Sequence, residues 1–415
     1  MNELQRHLLA RLDADRDHLV AFFSRFLQAK SANPPGDTRP AADAIAGYLR
    51  AKGVPFRIEA AYDHMPNVVG SFAMAAPGRH LVLNGHIDVF APIDDATAWT
   101  GEVKDGAIYG RGASDMKCGT AASVFAYAYL HEVRDRLRGK LTLTCVSDEE
   151  TGGKWGTAWL FQRFPDEVKG DCCLNGEPSG LNNVRFMEKG TLRLTFTTTT
   201  KGGHGGYPHL SPNAILQACA IVQGVTALHG REPELPENVA RALLSPEGIE
   251  GTERGMGAGA AKVVRSVVVN VGTIQGGLKV NQIPHQCRFE IEIRYPIGFT
   301  REAMLAEVDR VTAAVPGAAY VIDEAHSYPP SLADPEHEMV AILQETVEAL
   351  GQPRPIPLSS LGGSDSRYWR WQGVPAFLYG PSPVTMGRAD EHVGVQEFLH
   401  VVRTHVLAAT AYLSR

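Results

Sequence analysis

Apolar and polar positions fall along the chain in blocks that predict an α/β fold. Short apolar runs of strand length, such as 81–89 and 141–146, alternate with longer stretches in which apolar residues recur at helical spacing. The predicted helices include residues 3–30, 41–52 and 118–133, and later ones at 335–350 and from 395 onward. Strands that alternate with helices in this way indicate a doubly wound layer with a largely parallel sheet.

A different pattern begins near Lys189. Residues 190–201 and 287–296 alternate strictly between apolar and polar positions, which is typical of strands with one exposed face. Together with the predicted helices and strands around them, the order is β-α-β-β-α-β, the split plan of a ferredoxin-like α+β domain. We therefore predict an inserted domain at 188–328 and a first domain formed by 1–187 plus 329–415. Within the insert, the Gly- and Glu-containing stretch 230–262 is expected to be a mobile loop.

Composition and charge narrow the classes of function. The 415-residue chain is 44% hydrophobic and 21% charged with a formal net charge of −6, which is typical of a soluble globular protein. An acidic balance without a basic stripe argues against nucleic acid as a partner, and no apolar run is long enough for a membrane span. The charged amphipathic N-terminus and six scattered cysteines without a CxxC pair predict a cytoplasmic protein with unpaired, buried thiols.

The apolar run at 81–83 ends in a polar pair, His86 and Asp88. Residues two apart on a strand point the same way, so this imidazole and carboxylate meet at the carboxyl edge of the sheet. Open α/β sheets bind their ligands at that edge, and a metal-binding His often has a carboxylate nearby. Taken alone, a hydrogen-bonded pair at a strand end explains the pattern better than a metal site does.

Further acidic or imidazole positions follow the other predicted strands and turns: Asp115, the pair Glu149–Glu150, Glu177, and the run Asp390-Glu391-His392. Each has an ordinary alternative, such as a helix N-cap for Asp115 or a solvated loop for the Glu pair. Buried carboxylates without partners are unfavourable, however, and so many at strand ends predict a ligand set for two divalent cations that share a carboxylate. Mixed nitrogen and oxygen ligands without a thiolate favour zinc, manganese or cobalt over a structural zinc site.

Five motifs, in chain order, resemble those of one enzyme family: GHIDVF, GRGASDMKCG, SDEETGG, NGEPS and ADEHV. They are similar to the motifs of the co-catalytic metallohydrolases that include succinyl-diaminopimelate desuccinylase, acetylornithine deacetylase, aminoacylase-1 and carboxypeptidase G. The resemblance covers nearly the whole chain, including the inserted domain, and the motifs are specific as a set. It implies a di-metal catalytic domain with an inserted lid and dimerisation domain.

The resemblance also implies a metal-binding role for each matching residue. His86 and Glu177 would bind one cation, and Glu150 and His392 would bind the other. Asp115 would bridge the two cations. Zinc is the expected metal, with manganese or cobalt as alternatives.

The remaining catalytic roles follow from the same resemblance. Glu149 would be the general base, and Asp88 would orient His86. In the insert, the segment GGHGGYPH resembles the desuccinylase form of the family's lid. Its His204 would reach an active site, often that of the partner subunit, and help to hold the tetrahedral oxyanion.

Substrate contacts are implied at three places. Asn281 and Arg294 match lid positions that contact substrate, the arginine typically through a carboxylate. Gly362, Gly363 and Ser364 resemble the substrate-cradling loop of the first domain. This loop reads GGSD rather than the desuccinylase-type GGTSD, and the 230–262 stretch is longer than the family suggests, so the substrate is not copied from the closest motif.

The predicted function is hydrolysis of a C–N bond in a small carboxylate-bearing substrate, above all an N-acyl amino acid, with Glu149 activating water. A dipeptidase or carboxypeptidase-like enzyme, or an aminohydrolase or amidase acting on a non-peptide (for example aryl) amine, fits the same residues. A metal-binding protein without catalysis is disfavoured because no ligand is missing from the motif set. The resemblance suggests a homodimer through the inserted domain.

Overall fold

The structure, a computed structural model, describes residues 1–415. The strands, in chain order, are β1 (Arg57–Ala60), β2 (Pro66–Ala73), β3 (Ala76–His86), β4 (Val103–Lys104), β5 (Ala107–Tyr109), β6 (Arg138–Val146), β7 (Cys172–Asn175), β8 (Asn183–Glu188), β9 (Gly190–Thr199), β10 (Gly203–His204), β11 (Val268–Gly276), β12 (Gln282–Ile283), β13 (Gln286–Tyr295), β14 (Ala318–Ile322), β15 (Ser331–Leu332), β16 (Ile356–Ser360), β17 (Ala376–Leu378) and β18 (His392–Gly394). The helices are α1 (Glu3–Ala14), α2 (Arg16–Gln28), α3 (Arg39–Ala51), α4 (Asp95–Ala98), α5 (Lys117–Glu132), α6 (Thr157–Arg163), α7 (Pro165–Val168), α8 (Ala214–Thr226), α9 (Glu237–Leu244), α10 (Pro246–Met256), α11 (Ala260–Val263), α12 (Arg301–Ala313), α13 (Glu338–Ala349), α14 (Ser366–Trp371) and α15 (Val395–Leu413).

The largest sheet has a parallel centre and antiparallel flanks. Its strand order is β1-β2-β6-β3-β7-β17-β8-β15, and β16 also pairs with β8. The pairs β3–β6, β3–β7 and β7–β17 are parallel, whereas β1–β2 and β2–β6 are antiparallel. The predicted α/β class with a largely parallel central sheet is therefore confirmed. Because β3, β6 and β7 run in the same direction, their carboxyl ends meet at one edge.

Alternate residues of β3 explain why helices cover both faces of this sheet. Leu81 and Leu83 lie in the main core with α5 and α15, while Val82 packs with Trp369 of α14 on the opposite face. All three side chains of this run are fully buried. A strand that is buried on both faces reads as a continuous apolar run, which is what the sequence has here.

A second, four-stranded sheet has the order β11-β13-β9-β14. All of its pairs are antiparallel, and its own core includes the stacked rings of Phe196 and Phe289, whose centroids are 5.0 Å apart. Strands and helices follow each other as β9, α8, β11, β13, α12 and β14. This is the β-α-β-β-α-β order predicted from the sequence.

The expectation of a mobile loop at 230–262 was wrong. The stretch contains α9, α10 and α11, and Val239 and Leu243 of α9 belong to the main hydrophobic core. These two residues are four apart, so they lie on one helix face. The Gly, Pro and Glu residues around them obscured that short amphipathic pattern. The segment instead packs onto the first layer, beside β16.

Two smaller expectations were also refined. The predicted helix at 3–30 is two helices, because the chain turns at Asp15 between α1 and α2. All six cysteines are free, as predicted, but Cys219 is exposed while the other five are buried. No helix combines the length and the apolar character that crossing a bilayer requires.

Candidate active site

His86 is the last residue of β3 and is almost fully buried. Its Nε2 lies 3.3 Å from an Asp115 oxygen and 3.4 Å from a Glu177 oxygen. Burial opposes the charged imidazole, but the carboxylates of Asp115, Asp88 and Glu177 outweigh it and raise the pKa of His86 well above its ordinary value. The ligand atoms of His86, Asp115 and Glu177 all lie within 4.8 Å of one another. We call these three residues the imidazole–carboxylate cluster.

The second nitrogen of His86 is held by backbone rather than by a carboxylate. Its Nδ1–H donates to the carbonyl oxygen of Asp88 at 2.8 Å, whereas the nearest Asp88 carboxylate oxygen is 3.5 Å away. The Asp88 carboxylate instead accepts the backbone N–H groups of Glu149, at 3.3 Å, and Glu150, at 3.1 Å. Asp88 therefore orients His86 chiefly through its main-chain carbonyl, and its side chain also holds the turn after β6. The orienting role expected for the carboxylate stays a prediction.

Asp115 is positioned by a carboxylate outside the cluster. Glu391 accepts the backbone N–H of Asp115 at 3.1 Å and that of Ser114 at 2.9 Å, and it also pairs with Arg111. These contacts fix the glycine-rich turn before α5. The sequence offered Glu391 only as one member of an acidic run, and nothing local distinguished it from its neighbours.

A close backbone contact brings Glu177 to the same place. A Cβ at Gly119, in the first turn of α5, would lie 1.8 Å from the carbonyl oxygen of Gly176, so only glycine fits there. The backbone N–H of Glu177 donates to the side chain of Asn175 at 2.8 Å, which holds the end of β7. Burial, followed by repulsion from Asp115, raises the pKa of Glu177 well above its usual range.

Glu149 and Glu150 form a single 3₁₀ turn directly after β6. Burial raises the pKa of Glu149 to about 8, against the opposing charges of His86 and Arg367. Burial and then repulsion from Asp115 raise the pKa of Glu150 well above its usual range. One Glu150 carboxylate oxygen, Oε1, is buried without any hydrogen-bond partner. An acidic group in that state indicates a missing positive partner.

These buried carboxylates fit divalent cations. Several acidic side chains beside one imidazole repel one another in a poorly solvated place, and a cation would remove both the repulsion and the unpaired oxygen of Glu150. The donors are oxygen and nitrogen atoms without sulfur, as zinc, manganese and cobalt accept.

The structure does not bring His392 into this group. Its Nδ1–H donates to the carbonyl oxygen of Asp390 at 2.7 Å, and its ring packs on Tyr109 with the centroids 4.8 Å apart. His392 belongs to no set of ligand atoms that converge within 4.8 Å, and it does not line the cleft described next. Its Nε2 has no hydrogen-bond partner, and the ligand role that the resemblance implied for His392 stays a prediction.

A cleft of about 440 Å³ opens beside the imidazole–carboxylate cluster. It is bounded by the first layer, by the second sheet and by α10, and its lining includes Asp115, Glu149, Glu150, Glu177, Arg185 and Met256. The expected substrate residues Arg294, Gly362, Gly363 and Ser364 also line it. Two of them are already engaged: Arg294 donates to the carbonyl oxygen of Leu361 at 2.8 Å and pairs with Glu292, and Ser364 bonds to Glu188.

His204 and Asn281 lie apart from the cleft. His204 ends β10 and Asn281 directly precedes β12, and beside this two-stranded ladder the backbone N–H of Gly205 donates to the Asn281 carbonyl oxygen at 2.8 Å. Both side chains are exposed, and neither lines the cleft. Within one chain, the structure does not bring these two expected residues to the cluster.

Three side chains that sequence reasoning missed contribute to the cleft or to its support. Arg185 is buried in the cleft wall, where it donates to the carbonyl oxygens of Ser359 and Ser179 and has no acidic partner within 4 Å. Arg367 lies 3.4 Å from Glu149. Asn33, in the turn after α2, donates to the Asp88 carboxylate at 2.9 Å. Arg185 and Asn33 carry no motif, so only the tertiary structure reveals them.

A buried imidazole–carboxylate cluster at the carboxyl edge of an α/β sheet is typical of one class of protein, the metal-dependent hydrolases. Residues 82–411 match peptidase family M20/M25/M40, and the chain belongs to that family. This membership confirms the family that the motifs indicated, and it makes the protein a metal-dependent hydrolase acting on carbon–nitrogen bonds.

Individual relatives agree with this assignment. Succinyl-diaminopimelate desuccinylase 2 of Ruegeria sp. (strain TM1040) is 28% identical over 347 residues, covering 80% of each chain. An M20 family metallo-carboxypeptidase from Sulfolobus solfataricus superposes with a TM-score of 0.79 at 16% identity, over 95% of this chain and 99% of that chain. A dinuclear metal-binding peptidase of the M20 family from Bacillus subtilis gives a TM-score of 0.65 at 15% identity, over 97% and 99%. The two structures demonstrate a shared fold.

Proposed function

We propose that this hydrolase is an N-acyl amino acid deacylase, which cleaves the amide bond of a small carboxylate-bearing substrate. The observation that carries the proposal is the largely buried Glu149 beside the imidazole–carboxylate cluster, in a cleft with guanidinium groups in its wall. The Ruegeria relative is named for an acylated amino acid, succinyl-diaminopimelate, which supports the same substrate class.

The residues that would hold cations include the acidic side chains that lack a positively charged partner. His86, Asp115 and Glu177 would hold one cation, and Glu150 and His392, with Asp115 shared, would hold the other. We propose zinc, with manganese or cobalt as alternatives. When bound, such cations lower the pKa of a water molecule and polarise a scissile carbonyl group.

The proton steps fall to Glu149. As general base it would take a proton from the attacking water, and as general acid it would return that proton to the leaving amine. Its backbone N–H is anchored on Asp88, and its side chain lies 3.4 Å from Arg367. These contacts would keep the carboxylate directed into the cleft during both transfers.

Recognition of the substrate carboxylate is proposed for Arg185, with Arg294 as a second contact. Arg294 forms an ion pair with Glu292 at 2.9 Å. Arg185 has no such partner, and burial lowers its pKa to about 10. A buried cation whose partners are carbonyl oxygens and a thioether sulfur gains most from an anionic ligand. Gly362, Gly363 and Ser364 would bound the same part of the cleft.

The direct test is amine release by metal-loaded protein. The panel holds N-acetyl and N-succinyl amino acids, dipeptides and aryl amides, each with a chelator control. Chelator-sensitive turnover of the acylated amino acids is expected, and Glu149→Gln should remove it while leaving the circular dichroism spectrum intact. Turnover confined to dipeptides would assign a peptidase instead, and turnover confined to aryl amides would assign an aminohydrolase.

We further propose that residues 188–328 act as a lid and dimerisation domain. His204 and Asn281 are exposed and lie outside the cleft of their own chain. Large apolar side chains are exposed nearby, Leu216 on α8 and Leu278 and Val280 in the segment between β11 and β12. A homodimer through this face would cover them and would carry His204 toward the cleft of the other protomer.

Complementation between variants tests this arrangement. Glu149→Ala and His204→Ala proteins are each expected to be inactive, but co-expressed mixed dimers would contain one cleft with both residues intact. Recovered activity in the mixture would support sharing of the site between protomers. Persistent inactivity of purified mixed dimers, or a monomer by light scattering, would reject it.

A further inference from the structure

The cleft beside the imidazole–carboxylate cluster has two chemically different parts. One part of its lining carries the guanidinium groups of three residues: Arg185, Arg193 and Arg294. Another part carries three apolar side chains from two separate segments: Phe90, Pro383 and Met386. We call these three apolar residues the apolar rim. No charged side chain of segments 90–98 and 383–389 lines the cleft.

Backbone register separates the apolar rim from Arg185. One row of paired residues crosses β3, β7, β17 and β8: Asn84, Asn175, Leu378 and Arg185. Neighbouring strands lie about 4.8 Å apart, so Arg185 is about 14 Å from the corresponding position of β3. Phe90 follows β3, and the residue before it pairs with Ala32 rather than with β7. A ligand that extends from the cluster away from Arg185 therefore reaches the β3 side, where Phe90 lies.

The part of the apolar rim that follows β17 is built on ordered main chain. Pro383 and Met386 begin and end a turn in which the Met386 N–H donates to the Pro383 carbonyl oxygen at 3.1 Å. Just before this turn, the backbone N–H of Ser382 donates to a carboxylate of α15 at 2.6 Å. The Ser382 carbonyl oxygen accepts the hydroxyl of Ser114 at 2.7 Å. Because Ser114 directly precedes Asp115, the turn is tied to the segment that positions the cluster.

Phe90 and Met386 keep much of their apolar surface exposed. Their exposed fractions are 41% and 42%. Their segments lie side by side, since Ile93 and Ala389 line one small cavity. Single exposed apolar side chains are ordinary on a protein surface, but these line one cleft together with Pro383. An apolar part of a ligand would remove this surface from water.

A second carboxylate on the acyl group would find no free cation beside the apolar rim. The one further guanidinium of the lining, that of Arg367, lies 3.4 Å from Glu149. It also donates to the carbonyl oxygens of Ser364 and Gly152. Moving a carboxylate from water to an apolar surface without a partner is unfavourable. This part of the cleft therefore favours a neutral, apolar acyl group.

We infer that the apolar rim is an acyl-binding subsite, so that this hydrolase prefers N-acyl amino acids with an aliphatic acyl chain over those with a dicarboxylic acyl group such as succinyl. The inference rests on the proposed function, because it takes the amino acid carboxylate to lie at Arg185 and the scissile amide to lie at the cluster. Complete transfer of a methylene group from water to apolar surface favours binding by about fourfold. The rim is open on one side, so we expect a gain of about two- to fourfold for each added methylene group.

The first test compares acyl groups on one amino acid, the one that is released fastest from its N-acetyl derivative. Metal-loaded protein is assayed for kcat/KM with the N-acetyl, N-butanoyl, N-hexanoyl and N-succinyl derivatives. The hexanoyl derivative should exceed the acetyl derivative by at least about tenfold. Butanoyl and succinyl groups have the same number of carbons and differ in a terminal methyl group or carboxylate. The butanoyl derivative should be hydrolysed at least about tenfold better.

Binding without turnover is measured on the Glu149→Gln protein. Calorimetric titration with the same four compounds should give Kd values that fall from acetyl to hexanoyl, with succinyl bound more weakly than butanoyl. This measurement separates the subsite from the chemical step.

Substitutions in one turn assign the subsite. Met386→Ser should lower the hexanoyl-to-acetyl ratio of kcat/KM by about threefold or more. Met386→Arg adds a cation at the rim and should raise the succinyl-to-butanoyl ratio by about tenfold. The matched control is Val384→Ser, because Val384 is exposed on the same turn and does not line the cleft. It should preserve both ratios.

Several results would overturn the inference: equal kcat/KM for acetyl and hexanoyl derivatives, a wild-type preference for succinyl over butanoyl, or an unchanged chain-length ratio in Met386→Ser. In those cases amine release from N-acyl amino acids would still support the proposed deacylase function. If no N-acyl compound releases amine, yet the Glu149→Gln protein binds the hexanoyl derivative most tightly, the deacylase function fails and the apolar subsite stands.

Discussion

The Asp88 carboxylate accepts the backbone N–H of Glu150 at 3.1 Å. The other oxygen of the same carboxylate accepts the N–H of Glu149 at 3.3 Å, and Asn33 donates to the first oxygen at 2.9 Å. Asp88 also offers its carbonyl oxygen to His86. One residue thus ties the end of β3 to the turn that carries the proposed base, so its side chain should affect catalysis without contacting the substrate.

Asp88→Asn should lower kcat by about 100-fold, in the range seen when groups that support a metal site are changed. The physical reason is a donor conflict: an amide has one acceptor oxygen, and its NH₂ group would face either the Glu149 N–H group or both the Glu150 N–H group and the Asn33 amide. Steady-state kinetics would measure the change, with KM expected to move much less than kcat.

The matched control for this change is Asp63→Asn, which alters an exposed aspartate outside the cleft. It should leave kcat unaltered. An Asp88→Asn enzyme with wild-type kcat would contradict the positioning role, since the turn at Glu149 would then hold its place without the carboxylate.

The sequence predicted the parts of this fold that depend on local pattern. The apolar runs of the central strands are buried on both faces, as Val82 and its neighbours show, and such runs are visible without any tertiary information. Polar residues at the ends of those runs were predicted to meet, and His86 lies within 3.4 Å of Asp115 and Glu177.

The sequence could not predict features that depend on which way a single side chain points or on packing between distant segments. In the run Asp390-Glu391-His392, nothing local shows that Glu391 accepts backbone N–H groups more than 270 positions away. The helices at 237–263 depend on packing of Val239 and Leu243 into the main core. Arg185 is a cleft residue only because β8 and α10 meet around it.

Arg185→Met should raise KM for carboxylate-bearing substrates by about 10- to 100-fold, because a hydrogen bond to a charged group contributes about 1.5–3 kcal/mol. Methionine fills similar space and removes the charge. Substrates in which the carboxylate is replaced by a primary amide should show little change between wild type and variant. Initial rates over a concentration series of each substrate pair would separate KM from kcat.

Arg254→Met is the control for charge alone, since Arg254 is exposed on α10 and pairs with Glu250. It should preserve KM for both substrates. Equal KM increases for the carboxylate and amide substrates in Arg185→Met would indicate a general packing defect, and the proposed recognition role would then be rejected.

Stability should fall in acid because of buried histidines in α15. Burial holds the pKa of His405 at about 4, and its Nε2–H donates to the Tyr379 carbonyl oxygen at 2.7 Å. An unfolded histidine titrates near 6.5. Above about pH 6.5 the His405 imidazole is neutral in both the folded and the unfolded chain. Between about pH 6.5 and 4, His405 takes up a proton only in the unfolded chain. Folding stability is therefore lost as the pH falls through that window, by about 3 kcal/mol for this residue.

His405→Gln should flatten this dependence. Urea unfolding of the metal-free protein at pH 7, 6, 5 and 4 would give the free energy of unfolding, and the drop from pH 7 to 4 should be smaller in the variant, even if its stability at pH 7 is lower. His7→Gln, at an exposed position of α1, should retain the wild-type pH dependence. Identical slopes in all three proteins would show that His405 is protonated in the folded state.

Finally, a pair of adjacent leucines tests whether the 237–256 segment is a packed part of the fold. Leu243 of α9 is 3% exposed and lies in the main core, whereas Leu244 is 43% exposed. Leu243→Ala removes buried methyl groups and leaves a cavity, so the free energy of unfolding should fall by about 2–5 kcal/mol. Leu244→Ala removes the same methyl groups from the exposed side of the helix. It should change the free energy of unfolding by less than about 0.5 kcal/mol. Denaturant unfolding measures both values, and equal small effects would mean that α9 is detached from the core in solution.

Because α10 places Met256 in the cleft wall, detachment of this segment should also weaken substrate binding, so the Leu243→Ala enzyme should show a higher KM than the Leu244→Ala enzyme.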